Sequence, residues 1–412
     1  MPRPARIVSV ACALLTLTVC LAADWPQWRG PRRDGSASAI PKPKAWPDKL
    51  PRLWSVQVGE GHASPLVVGD WVFVHARQSD QEVAQALSLR DGKTVWRQAW
   101  PVAYEPHRAA AGHGRGPKST PVAEGGTLYT FGISGVVSAL DAQSGTLRWR
   151  KDFASQHKTT SPLFGTSMSP LVDKGLLVAH VGGHHDGSLT AWDAATGETR
   201  WSLKGDGPGY ASPIIAEMAG KRQIITQTDQ RIVGVAAGDG ALLWSLPFTT
   251  AYDQNIVTPI VFEKTLIISG YEKGVRAYAI EAKEGSLVPR EVWSRQEVSL
   301  YMSSPVIVSG RLFGFSHLQK GQFVCLDART GSPIWMSEGR EGENAALVAS
   351  ADLVLALTDG AELLVLPVAG DRFQPLARYR VAESPTWTHP VLTHRGLLVK
   401  DKTSLSLWSW PS

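Results

Sequence analysis

The amino-acid sequence predicts an all-β protein, an eight-bladed β-propeller of four-stranded antiparallel blades, on three observations. A tryptophan recurs every 42–53 residues, at Trp54, Trp96, Trp149, Trp201, Trp244, Trp293 and Trp335, and Tyr379 continues the series. A turn of the form Asp-Ala-x-Ser/Thr-Gly stands four residues ahead of Trp149 (Asp141 to Gly145), Trp201 (Asp193 to Gly197) and Trp335 (Asp327 to Gly331). Looser copies precede Trp96, Trp244 and Trp293. Units open on Ser/Thr-Pro and an apolar run: Ser64-Pro65, Thr120-Pro121, Ser169-Pro170, Ser212-Pro213, Thr258-Pro259 and Ser304-Pro305, with His389-Pro390 as a variant. One further unit starts near Asn344 without the proline.

Each element has a physical reason. In the turn, Asp hydrogen-bonds its own downstream backbone and Gly takes the left-handed position that a Cβ disfavours. The tryptophan falls on the next strand, where an indole can fill the wedge between neighbouring sheets. Proline suits a strand start, where no ladder donor is required. A period of this length holds four short strands and their turns. No segment sustains the 3.6-residue apolar period of a helical solenoid. The last unit, His389 to Trp410, lacks a final strand, and Leu53 to Val58 has the look of it. N- and C-terminal strands would then share one blade and close the ring, leaving no open sheet edge.

The chain divides into a leader (1–23), an N-terminal extension (24–50) and one propeller domain (51–412). Arg3 and Arg6, the apolar run Ile7 to Leu21 and the small pair Ala22-Ala23 read as a secretory signal. The run is short for a membrane span. Val19 ahead of Cys20 argues against a lipid anchor there. The expectation is therefore an exported protein, periplasmic or extracellular and monomeric, with no transmembrane segment after the leader. Cys12 and Cys20 fall in the leader, so Cys325 alone remains and reads as a small buried hydrophobe. Losing Arg3 and Arg6 from 42 basic residues leaves 40 against 37 acidic ones, a balance of +3. With no basic block, nucleic acid is not an expected partner.

The turn-and-tryptophan repeat resembles that of the pyrroloquinoline-quinone (PQQ)-like propellers over roughly residues 50–410. The opening Asp24-Trp25-Pro26-Gln27-Trp28-Arg29-Gly30-Pro31 also resembles the start of many bacterial members. The resemblance implies three outcomes: quinoprotein dehydrogenases holding PQQ and Ca2+ in the central funnel, non-catalytic scaffolds such as the propeller lipoprotein of outer-membrane β-barrel assembly, and secreted proteins of unassigned role. Adjacent cysteines, which stack the quinone in the alcohol dehydrogenases, are absent, as is a haem-attachment Cys-x-x-Cys-His. The favoured expectation is a non-catalytic binding or scaffold protein with no cofactor, engaging a protein or small-molecule ligand. The alternatives are a PQQ- and Ca2+-dependent alcohol or sugar dehydrogenase and an accessory of outer-membrane protein assembly.

In a propeller, residues just ahead of each innermost strand line one mouth of the channel. The Ser/Thr-Pro signature therefore marks the rim: His62, Lys118, Ser167, Tyr210, Asn255, Tyr301, Asn344 and Trp387. His113, Arg115, Tyr252, Asp253, Gln254 and His389 are their neighbours. This set is rich in rings and hydrogen-bonding groups, as a ligand site would be. Asp253 with Asn255 is its one Ca2+-friendly pair, short of oxygens for a hard-cation site. In the quinoprotein alternative, Arg115 or Lys118 would face the cofactor's carboxylates. Ala109 to Ser119 is Gly-rich and basic but lacks a strand–glycine–helix context, and reads as an inter-blade loop. His184-His185-Asp186 reads as a hairpin turn, because adjacent side chains in extended backbone diverge from any common metal ion. No nucleophile elbow or assignable acid–base carboxylate pair is present.

Overall fold

A computed structural model describes residues 24–38 and 40–411. The expected leader, with Cys12 and Cys20, lies outside the described residues. Eight four-stranded antiparallel sheets form the ring. Their innermost strands are Leu66–Val68, Val122–Glu124, Leu171–Asp173, Ile214–Met218, Ile260–Phe262, Val306–Val308, Ala345–Ala349 and Val391–Thr393. These define blades one to eight. In blades one to seven the strands follow one another outward in chain order. Blade eight takes its outermost strand, Arg52–Gln57, from the other end of the chain, pairing with Ser404–Trp408. No helix among the described residues is long and apolar enough to cross a membrane.

The core is a set of wedges between blades. One wedge packs Tyr129, Phe131 and Ala139 of blade two against Leu177, Ala179 and Trp192 of blade three. Cys325 sits in the wedge between blades six and seven, and burial pushes its thiol up to about 12. The repeat turn joins adjacent wedges. Asp141 Oδ1 accepts from the amides of Gln143 and Ser144, closing the turn onto Gly145 at φ 74°. A Cβ on Gly145 would lie 2.5 Å from the ring of Trp96, one blade back. Trp96 Nε1 donates to the Ala142 carbonyl of the same turn, at 2.9 Å. Trp149 docks likewise on Gly197 and Ala194, and Trp54 on Gly92 and Leu89. The repeat's Gly and Trp are thus one contact between blades. Trp244 departs from this pattern. Blade five carries the longer hairpin Val275–Lys283 to Ser286–Arg295, so Trp244 donates to Gln223 of its own blade.

The Ser/Thr of the opening signature also links blades. The Ser64 amide donates to Thr120 Oγ1, Thr120 to Ser169 Oγ, Ser169 to Ser212 Oγ, each at 3.0 Å. The series continues through Ser212 to Thr258 and Thr258 to Ser304, and the His389 amide donates to Ser64. It is interrupted at blade seven, whose Ala345 has no hydroxyl. There Ser303 Oγ donates to the Ala345 carbonyl instead. The prolines fix where the strands begin, and the hydroxyls hold those starts together around the axis.

Candidate functional site

The segment from Trp25 to Ala37 enters the channel and touches all eight blades, at their innermost strands or at the residues leading into them. Trp25 and Val67 exchange backbone hydrogen bonds at 2.7 and 3.0 Å, and the Ala123 amide donates to the Pro26 carbonyl. Arg33 donates to the carbonyls of Ser169, Pro170 and Pro213, while Arg29 donates to that of Pro305. Ala37 pairs with Ala349. Trp28 Nε1 donates to Thr258 Oγ1 at 3.3 Å, and its ring meets His389 edge-on at 4.4 Å. Guanidinium groups are rarely buried this deeply. Burial lowers Arg29 to about 10 and Arg33 to about 9, the latter also through the Arg29 charge. Proline carbonyls are free to accept because no ladder partner claims them at a strand start.

With the arm in place, the channel becomes a blind pocket of ≈ 170 Å³ with Trp28 at its inner end. Of the rim residues expected from sequence, His62, His113, Lys118 and Ser167 line it on one side. Tyr210, Gln254, Tyr301, Asn344 and Trp387 complete it. The rings interlock: Trp387 lies 5.9 Å from His62 and 5.2 Å from His113, and Phe164 lies 6.1 Å from Tyr210. His62 Nε2 donates to the His113 carbonyl at 3.1 Å, so Nδ1 holds the lone pair. Burial, then the charges of Lys400 and Lys118, takes His62 down to about 3, and burial also lowers His113. Lys118 donates to the Phe164 carbonyl, and burial brings it to about 8, opposed by Glu60. At neutral pH both imidazoles are uncharged and Lys118 carries the pocket's positive charge.

Five of the expected rim residues and their neighbours stand elsewhere, each for a local reason. Asn255 is buried below the surface, its amide donating to the carbonyls of Thr228 and Phe248. His389 lies beneath Trp28, on the arm side of the floor. Arg115 turns outward to Asp80 and Glu105. Asp253 faces His184 and His185 at 3.5 and 3.6 Å, and Tyr252 beside it is 78% exposed. His184 and His185 form the expected two-residue turn between Leu176–Gly183 and Asp186–Asp193. Divergence of their side chains does not hold, because the turn's curvature at His185 (φ 55°) brings both imidazoles to Asp253. His184 Nε2 accepts from the Leu163 amide, leaving a protonated Nδ1 that is no metal ligand. No group of three or more His, Cys, Asp or Glu among the described residues is arranged to hold a metal ion.

PQQ with Ca2+, the group that the fold family implies, does not match this lining. Among the pocket's residues there is no carboxylate to bind a hard cation. Asn255 and Asp253 both stand outside the lining, Asn255 held by its NH2 to Thr228 and Phe248 and Asp253 facing His184 and His185. A multiply anionic quinone would meet one ammonium, Lys118, with Arg115 turned away.

A family model described as outer membrane protein assembly factor BamB matches residues 79–337. BamB of Yersinia pestis is 24% identical over 260 residues, 63% of this chain and 60% of that protein. The quinohemoprotein alcohol dehydrogenase ADH-IIG of Pseudomonas putida is 30% identical over 204 residues, 47% of this chain and 26% of that protein. The chain thus spans under two thirds of both relatives. Among solved structures, BamB from Moraxella catarrhalis has a TM-score of 0.62 at 15% identity, covering 87% of this chain and 97% of that one. The quinohemoprotein alcohol dehydrogenase from Comamonas testosteroni has a TM-score of 0.67 at 14% identity, covering 94% and 80%. At these identities the likeness establishes the propeller and leaves the activity open.

Proposed function

This chain belongs to the PQQ-like propeller family whose model is described as outer membrane protein assembly factor BamB, and from that premise we propose that it is an exported, non-catalytic binding propeller. Its working surface is the blind pocket floored by Trp28. One observation carries this reading: the pocket is walled by aromatic rings, contains hydrogen-bonding groups and has no Asp or Glu in its lining. Such a lining suits ligand capture and lacks the paired carboxylates or metal oxygens that acid–base or quinone chemistry requires. The reading is tested by thermal unfolding with PQQ and CaCl2 together. The expected result is an unchanged midpoint, because a ligand raises it only by binding the folded state. An upward shift needing both additives would establish the quinoprotein alternative.

A second reading, an accessory of outer-membrane protein assembly, is favoured by the names of several relatives. The Bordetella pertussis assembly factor BamB matches over 84% of this chain at 23% identity. In this reading the partner is a protein, engaged at the mouth or a blade edge. Affinity purification from detergent-solubilised envelopes would recover an outer-membrane β-barrel stoichiometrically if the reading holds, and none if it fails.

A further inference from the structure

We propose that the blind pocket binds a single acidic sugar ring, a hexuronate, with its carboxylate at Lys118 and its hydroxyls shared among the amides and hydroxyls of wall and floor. The proposal rests on the reading of the pocket as the protein's binding surface. A volume of ≈ 170 Å³ suits one ring with its substituents. Trp28, Trp387, Tyr210 and Tyr301 are among its lining, rings of the kind that pack on the C–H face of a pyranose.

The polar groups then choose among ring-sized ligands. Donors dominate. Lys118 keeps N–H groups beyond the one given to Phe164. Gln254 Oε1 accepts from Tyr301, leaving its NH2 to donate. Ser212, Thr258 and Ser304 already accept backbone amides, so their own O–H groups remain to be given. Fewer acceptors stand against these: Asn344, 6% exposed, has no partner for Oδ1, and the neutral His62 and His113 rings each hold one lone pair. Many donors with one cation, a few neutral acceptors and no carboxylate describe the complement of a polyhydroxylated monoanion. An aryl carboxylate would satisfy Lys118 but leave Asn344 and Gln254 desolvated and unpaired. A neutral sugar would leave the Lys118 ammonium with only Glu60, outside the lining, to offset its charge.

The test is isothermal titration of the protein with sodium glucuronate and sodium galacturonate, beside glucose and sodium benzoate. One saturable site is expected for a uronate, with affinity about tenfold or more above that for glucose, as a charge-assisted hydrogen bond provides. Lys118→Met should remove that advantage and Lys118→Arg should keep it, with thermal unfolding confirming that both variants fold. Uronate affinity in the unmodified protein should fall as pH rises past the Lys118 value of about 8, a readout that needs no variant. Equal affinity for glucose and glucuronate, or benzoate binding where neither uronate binds, would overturn the ligand class while leaving the binding surface intact. Failure of all four compounds to bind would overturn the ligand class too. If a screen of chemically unrelated small molecules also found no ligand competing at Trp387, the binding reading itself would fall.

Discussion

Acid should destabilise this propeller through its buried histidines, and two of them, His389 beneath Trp28 and His180 on the second strand of blade three, contribute an amount the structure sets. His389 is 5% exposed beneath Trp28, and neither ring nitrogen has a hydrogen-bond partner. His180, 2% exposed, donates from Nε2 to the Asp206 carbonyl at 2.9 Å and has no partner for Nδ1. Burial lowers His389 to about 3, with the Arg29 charge adding to it, and lowers His180 to about 4. Both pKa values lie below the unfolded value of 6.5, so the fold holds both rings neutral. The linked stability is fully present above pH 6.5 and is lost as pH falls toward the folded values, since only the unfolded chain takes up the protons. Each unit of separation is worth about 1.4 kcal/mol, so at pH 5 each histidine costs about 2 kcal/mol and the pair about 4 kcal/mol. The assay is urea unfolding at pH 7.5 and pH 5.0, for the parent and for His180→Gln/His389→Gln. Gln keeps a polar group without a titrating proton. The difference between the two pH values should shrink by about 4 kcal/mol in the double variant, whatever its stability at pH 7.5. An undiminished difference would refute the assignment of acid lability to these two rings.

Two further predictions concern the contacts between blades. Ser169→Ala strands the buried Thr120 amide and should cost about 1–3 kcal/mol in urea unfolding. Gly145→Ala forces a Cβ into a left-handed turn and against the Trp96 ring, and should cost about 1–3 kcal/mol, accompanied by a changed Trp96 near-ultraviolet dichroism signal.

The blades were legible because their signals are local and repeated. The Asp-to-Gly turn, the tryptophan that follows it and the opening proline all lie within one unit, and each fixes a strand boundary by backbone chemistry. That placed the rim, and nine residues expected there or beside it line the pocket. The closing strand, expected at Leu53 to Val58 and found at Arg52–Gln57, was legible for the same reason, as the piece the last unit lacks. The hydroxyl links were harder to see, because proline alone accounts for a strand start and the acceptor lies a blade away. The arm offered no periodic signal at all. Its contacts join Arg33 to Pro170 and Pro213, and Arg29 to Pro305, and an arginine in sequence reads as a surface residue. Asn255, Asp253, Arg115 and His389 share the rim's sequence positions, and only the side-chain partners distinguish them from Tyr210 or Asn344.

The arm as a built-in channel floor is the structural claim on which the pocket depends, and amide hydrogen exchange tests it most directly. On the chain from Asp24 onward, the amides of Trp25 and Ala37 donate to Val67 and Ala349 at 2.7 Å, so they should be protected to the level of the inner strands. Exchange of residues 25–37 at the rate of an unstructured peptide, with the blades still protected, would contradict the account and leave an open channel in place of a pocket.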